Sequence, residues 1–157
     1  MPNPLRFIPE EAKLWKDSQG RHIAIAEITI RCLHGRFLLV PRPAHVRILL
    51  GVLGRAQDEI GFELCGYGYL SNHGSIIVGV RDADHLKEIM EYVHGNIARE
   101  LGRKEYSNWP GKFWSRRGRP ILILSDEDLE DRMRYLLSNS TKEHCSFCSP
   151  QLNLWNH

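Results

Sequence analysis

An α+β domain, with an antiparallel sheet packed by helices, is the fold class this sequence predicts. Two observations carry it. Apolar residues alternate with period two in short runs, as in HIAIAEITIRCL and FELCGYGYLSNHGSIIVGV. Between them, PAHVRILLGVLGRAQDEIGF and DADHLKEIMEYVHGNIARELGR carry the spacing of an amphipathic helix. Hairpins interspersed with helices fit a sheet covered by helices.

In chain order, residues 1–20 are polar and proline-rich and are expected to form a loosely held N-terminal arm. Residues 21–33 read as a strand. A turn at His34-Gly35 leads to a short strand ending at Pro41. Pro43 opens a helix with apolar residues at Val46, Leu49, Leu50, Leu53 and Ile60, and Gly61 ends it. Phe62 to Val80 forms two strands joined by a tight turn. Asp82 caps a second helix with Leu86, Ile89, Met90, Val93 and Ile97 on one stripe. Residues 104–118 are a loop, and Arg119 to Leu124 is a last strand. Ser125 in SDED begins a capping box, with Asp in place of Glu, for a third helix through about Ser138. The order is β-β-α-β-β-α-β-α. Residues 21–144 are expected to form a single domain, and 145–157 a tail without regular structure.

A chain of 157 residues suits one domain with a buried core. Its 42% hydrophobic and 25% charged content is ordinary for a globular protein, and a net charge of +2 does not by itself imply a polyanionic partner. MPNPLRF lacks the apolar run of a signal peptide, and the longest apolar runs are too short for a bilayer. The expectation is a cytoplasmic protein without membrane association. Cys32 and Cys65 sit in strands and suit small buried hydrophobes, with no disulfide expected in the cytosol. Cys145 and Cys148 form one CxxC, too few ligands for a structural zinc site.

Three clusters carry chemistry. His73 starts a strand beside the turn Ser71-Asn72, where it either closes the hairpin or faces solvent as a metal ligand. Alternation puts residues 73 and 75 on one face, so a second histidine at 75 would complete a metal half-site. The residue there is Ser75. Tyr135 and Asn139 lie four apart on the third helix and share a face. They suit a nucleophile and a neutral oxygen ligand, or a core tyrosine and a helix-end residue. Between residues 99 and 119, Arg99, Arg103, Lys104, Lys112, Arg116, Arg117 and Arg119 face only Glu100 and Glu105, with Tyr106, Trp109, Phe113 and Trp114 interleaved. Cations that track phosphates and rings that stack bases suit single-stranded nucleic acid; a solvated loop with docked tryptophans is the other reading.

In combination and in this order, the segments IRCLHGRFLL, ILLGVLGRAQDEIGFEL, YGYLSNHGSIIVGV, GKFWSRRGRP and RYLLSNSTKEH resemble the REP-associated tyrosine transposases, relatives of the single-tyrosine HUH transposases. The resemblance runs from Ile28 to His144. It implies a ferredoxin-like sheet and a metal-assisted transesterification on single-stranded or hairpin DNA, through a phosphotyrosine link that releases a 3′-OH. It further implies Tyr135 as the nucleophile, His73 and Asn139 as ligands of Mg²⁺ or Mn²⁺, and Ser75 in the place of the second metal histidine. Arg99, Arg103, Lys112, Arg116, Arg117, Arg119 and Trp109 are the expected DNA contacts. KEHCSF stands after the tyrosine helix, where relatives tend to read KEGLV. Three functions follow as expectations. They are a transposase, monomeric or homodimeric, that nicks and joins DNA; a DNA-binding member impaired by Ser75; or an unrelated RNA-binding or interaction module. If His73 and Tyr135 lay on opposite faces of the sheet, both transposase readings would fail.

Overall fold

The computed structural model describes residues 5–142 and 147–150, with side chains through Asn139. Its core is a β-α-β-β-α-β unit. Strand β2 (His22–Arg31) leads to helix α1 (Pro43–Ile60), the hairpin β3 (Glu63–Tyr69) and β4 (His73–Val80), helix α2 (Ala83–Leu101) and strand β5 (Arg119–Ile123). The antiparallel order across the sheet is β5-β2-β4-β3, the ferredoxin-like arrangement. Strand β1 (Trp15–Lys16) pairs with the start of β2, and helix α3 (Asp126–Lys142) follows β5.

The two sheet faces are covered unequally. Ala24, Ala26, Ile28 and Ile30 of β2, with Ile76, Val78 and Val80 of β4, pack against the apolar stripes of α1 and α2 in the main core. The alternate residues Ile23, Ile25, Ile77 and Ile123 meet Leu129, Met133 and Leu136 of α3 in a smaller cluster. A bulge between Leu64 and Gly66 resets β3, so that Gly66 pairs with Ile77 and Gly68 with Ser75. Gly66 lies under α3: a Cβ there would sit 2.9 Å from Met133 Sδ. The missing side chain therefore sets how closely the helix approaches the sheet.

The helix signals act as the sequence suggests. The Asp82 side chain accepts from the His85 amide at 2.7 Å, and the Ser125 hydroxyl accepts from the Asp128 amide at 3.1 Å. Pro43 is in the first turn of α1, and Gly61 ends that helix at φ 74°, where a Cβ would be strained.

Three expectations change. The arm is packed: Ile8, Ala12 and Trp15 are buried, and Trp15 Nε1 donates to Asp126 Oδ1 at 3.0 Å. Residues 36–41 form no strand. Both edges of β2 are already taken, and Leu38 and Leu39 plug the core from an irregular segment tied by Leu39 N–H to Ser71 O. Within the tail, strand β6 (Phe147–Pro150) pairs with β3, the edge left open by the core unit. The remaining tail and the side chains of Cys145 and Cys148 lie outside the described residues. Burial pushes the thiols of Cys32 and Cys65 up to about 12, which suits inert core residues.

Among the described residues three histidines are buried in the main layer, and burial lowers the pKa of each. His94 falls from 6.5 to about 4, and His45 and His85 fall in the same direction. The unfolded chain therefore takes up protons first as the pH drops. The stability these groups provide is whole above about 6.5 and is lost as the pH falls toward about 4. For His94 the difference amounts to about 3 kcal/mol. The urea midpoint should fall over that range, and His94→Gln should flatten the decline; a level wild-type midpoint would contradict this account.

Candidate functional site

Helix α3 covers only part of its sheet face, and the uncovered part is a cavity of about 170 Å³. Its lining includes Glu27, Thr29 and Arg31 of β2, Gly68 of β3, His73 and Ser75 of β4, and Tyr135 and Asn139 of α3. His73, Ser75, Tyr135 and Asn139, which span more than sixty residues of sequence, thus meet in one place on one face. The ladder explains it: Arg31 pairs with His73, and Thr29 pairs with Ser75 on one edge of β2 and with Arg119 on the other. Directly paired residues project to the same side, so Arg119, Thr29, Ser75 and Gly68 form one row and Arg31 and His73 the next.

The histidine is oriented by its neighbour. Asn72 Nδ2 donates to Gly35 O at 3.4 Å, which turns Asn72 Oδ1 toward His73 Nδ1 at 2.7 Å. Nδ1 then carries the proton, and Nε2 is the nitrogen with the lone pair, the usual arrangement of a ligating imidazole. Gly74 belongs to the same design. The Tyr69 ring lies across it, and a Cβ at residue 74 would fall 2.2 Å from Tyr69 Cδ1.

Tyr135 is 63% exposed at the cavity mouth, not a core residue. Ser75 is buried, and its hydroxyl donates to Glu27 Oε1 at 2.9 Å. The other Glu27 oxygen accepts from Arg132 Nη1 of α3, and Arg132 Nε donates to Asp128 Oδ1 at 2.9 Å. Glu27, Arg132 and Arg31 were not singled out from sequence. A signal existed for two of them: Glu27 is the one charge inside the run IAIAEITI, and Arg132 interrupts the apolar stripe Leu129, Met133, Leu136. A charge in such a place needs a partner.

The predicted basic residues divide. The segment 113–119 runs beside the end of β2, with Leu33 N–H donating to Phe113 O and Ser115 N–H to Arg31 O. Its Arg116, Arg117 and Arg119 are exposed, and Arg119 pairs with Thr29 of the cavity lining. Arg99 and Arg103 sit near the end of α2, in the opposite layer, and both pair with Glu100. The Lys112 ammonium donates to Ser115 O at 3.4 Å. Trp109 is half-buried, donates to Lys112 O and has the Arg36 guanidinium 4.2 Å from its ring centroid, so a base stacking on that face would displace Arg36. Trp114 and Phe113 are core residues, with Trp114 Nε1 donating to His94 O.

As a donor set, His73 and Asn139 offer one imidazole nitrogen and one amide oxygen, while the Ser75 hydroxyl is engaged with Glu27. Among the described residues no group of three or more His, Cys, Asp or Glu converges as a metal site. This set fits a hard divalent cation that keeps water and phosphate in its shell, not one caged by protein.

Among solved structures, a REP-associated tyrosine transposase bound to a REP hairpin matches with a TM-score of 0.57 at 16% identity, over 76% of this chain and 67% of that one. The chain shares the fold of that transposase. A candidate transposase from Deinococcus radiodurans R1 matches with a TM-score of 0.56 at 13% identity, over 80% of this chain and 97% of that one. No family model and no curated protein matches the chain. No helix among the described residues is long and apolar enough to cross a membrane.

Gly74→Ala should destabilise the protein by about 1–3 kcal/mol through the clash with buried Tyr69. Denaturant unfolding measures it; an unchanged midpoint would mean that the ring can swing away without cost.

Proposed function

We propose that this chain is a member of the REP-associated tyrosine transposases that binds single-stranded or hairpin DNA and nicks and joins it through Tyr135. The observation that carries the reading is the meeting of Tyr135, Asn139 and His73 in one cavity that Arg31 also lines. The Tyr135 oxygen attacks a phosphodiester phosphorus as its phenol gives up a proton. The bond from phosphorus to the 3′ oxygen of the leaving strand breaks, and that oxygen departs as a 3′-OH once protonated. The phosphate stays on the tyrosine, and a 3′-OH entering later reverses the step. Arg31 and Arg119 lie on the sheet face of the cavity, and exposed Arg116 and Arg117 follow Ser115, whose N–H donates to Arg31 O; these cations would neutralise phosphates. A Mg²⁺ or Mn²⁺ ion held by His73 and Asn139 would withdraw charge from the phosphate oxygens.

One observation favours a second reading, DNA binding without cleavage: the hydroxyl at the place of the second histidine is engaged with Glu27. The two are separated by incubating the protein and Mn²⁺ with a 3′-labelled pool of single-stranded DNA of randomised sequence, followed by a denaturing gel. The expected result is a covalent adduct from wild type and none from Tyr135→Phe. Retained binding without any wild-type adduct leaves the binding-only reading, and an adduct that survives Tyr135→Phe removes Tyr135 as the nucleophile.

Replacing Arg116 and Arg117 by alanine should weaken binding to the same pool. It should also reduce the slope of log affinity against log salt by about 0.7 for each phosphate that is no longer neutralised. An unchanged slope would put the DNA path elsewhere.

A further inference from the structure

We infer that Glu27, Ser75 and Arg132 form a latch that positions the tyrosine helix, and that Ser75 is a working part of this latch. Three elements meet at one buried carboxylate. Glu27 is only 8% exposed in the middle of β2, Ser75 of β4 donates to one of its oxygens, and Arg132 of α3 donates to the other. Asp128, one turn earlier on α3, holds the far side of the same guanidinium.

The placement matters because of helix geometry. Arg132, Tyr135 and Asn139 are spaced i, i+3 and i+7 and share one face of α3. A guanidinium fixed against the sheet therefore sets both the rotation of the helix and its position along its axis. The apolar contacts of Leu129, Met133 and Leu136 hold α3 down, but they are non-directional and tolerate sliding. The charge-assisted hydrogen bonds to Glu27 are directional and do not. Ser75 ties the same carboxylate to the strand that carries His73, so the nucleophile and the histidine are referenced to one group. An imidazole at residue 75 would take the space and the partner that this carboxylate uses.

The catalytic consequence rests on the reading of Tyr135 as nucleophile; the positioning does not. The test compares wild type, Glu27→Gln and Arg132→Met by hydrogen exchange with mass spectrometry, and by adduct formation on the randomised DNA pool. Both variants should speed exchange across 126–139 by about tenfold while the amides of the β2–β4 ladder stay protected. Single-turnover adduct formation should slow by about tenfold with DNA affinity within about twofold of wild type, the pattern of misplacement and not of lost binding. Unchanged exchange in α3 would overturn the latch, as would equal acceleration in α3 and the ladder, which marks general loss of stability. If wild type forms no adduct, the proposed function fails, and exchange in α3 still decides the latch.

Discussion

His73 reaches the site because Arg31 lies directly opposite it in the ladder between β2 and β4. That ladder runs from Ala24 opposite Val80 to Arg31 opposite His73, and every feature of the site is referred to it. It puts Ser75 within reach of Glu27, and Thr29 between Ser75 and Arg119. A slip of one residue would send His73 and Ser75 into the main core and bring Gly74 and Ile76 to the cavity. The slip is opposed because both faces of β2 are buried: Ala24, Ala26, Ile28 and Ile30 fill one core, and Ile23 and Ile25 the other.

Unequal covering of the sheet turns this ladder into a site. Two helices seal one face. On the other, the apolar stripe of α3 is short and is spent on Cys65, Ile77 and Ile123, so the far end of the face stays open. Tyr135 stands at that opening and is well exposed in consequence. Arg31 lines the same opening and Arg119 stands in the row of Thr29 and Ser75, whereas Arg99 and Arg103 share Glu100 in the opposite layer. A cluster that is continuous in sequence thus divides in space, because α2 carries its first members away from the sheet face that the strand β5 rejoins.

Much of the architecture was legible because local rules and tertiary packing agree. The strand alternation around His22–Arg31, the cap at Asp82 and the start of α3 at Ser125 all hold. Three features were not legible. Leu38 and Leu39 are apolar like a strand, yet they plug a core whose sheet edges are full. Trp15 anchors an arm whose composition reads as loose. Residues 147–150 pair with an edge that only the folded sheet presents. In the site, Tyr135, Asn139 and His73 were found through motif order, while Arg31 drew no attention because an arginine at a strand end is ordinary.

By itself the sequence determined the elements and the face on which each residue falls, since periods of two and 3.6 are properties of the local backbone. It also carried the suggestion that His73, Tyr135 and Asn139 belong together. Only the tertiary structure decided what Ser75 is. In the sequence it is a histidine's absence; in the fold it is a hydroxyl hydrogen-bonded to Glu27, whose charge is met by Arg132 more than a hundred residues away. A buried carboxylate needs its charge compensated, and the group that compensates it can come from any part of the chain that the fold brings near. No local pattern records that choice.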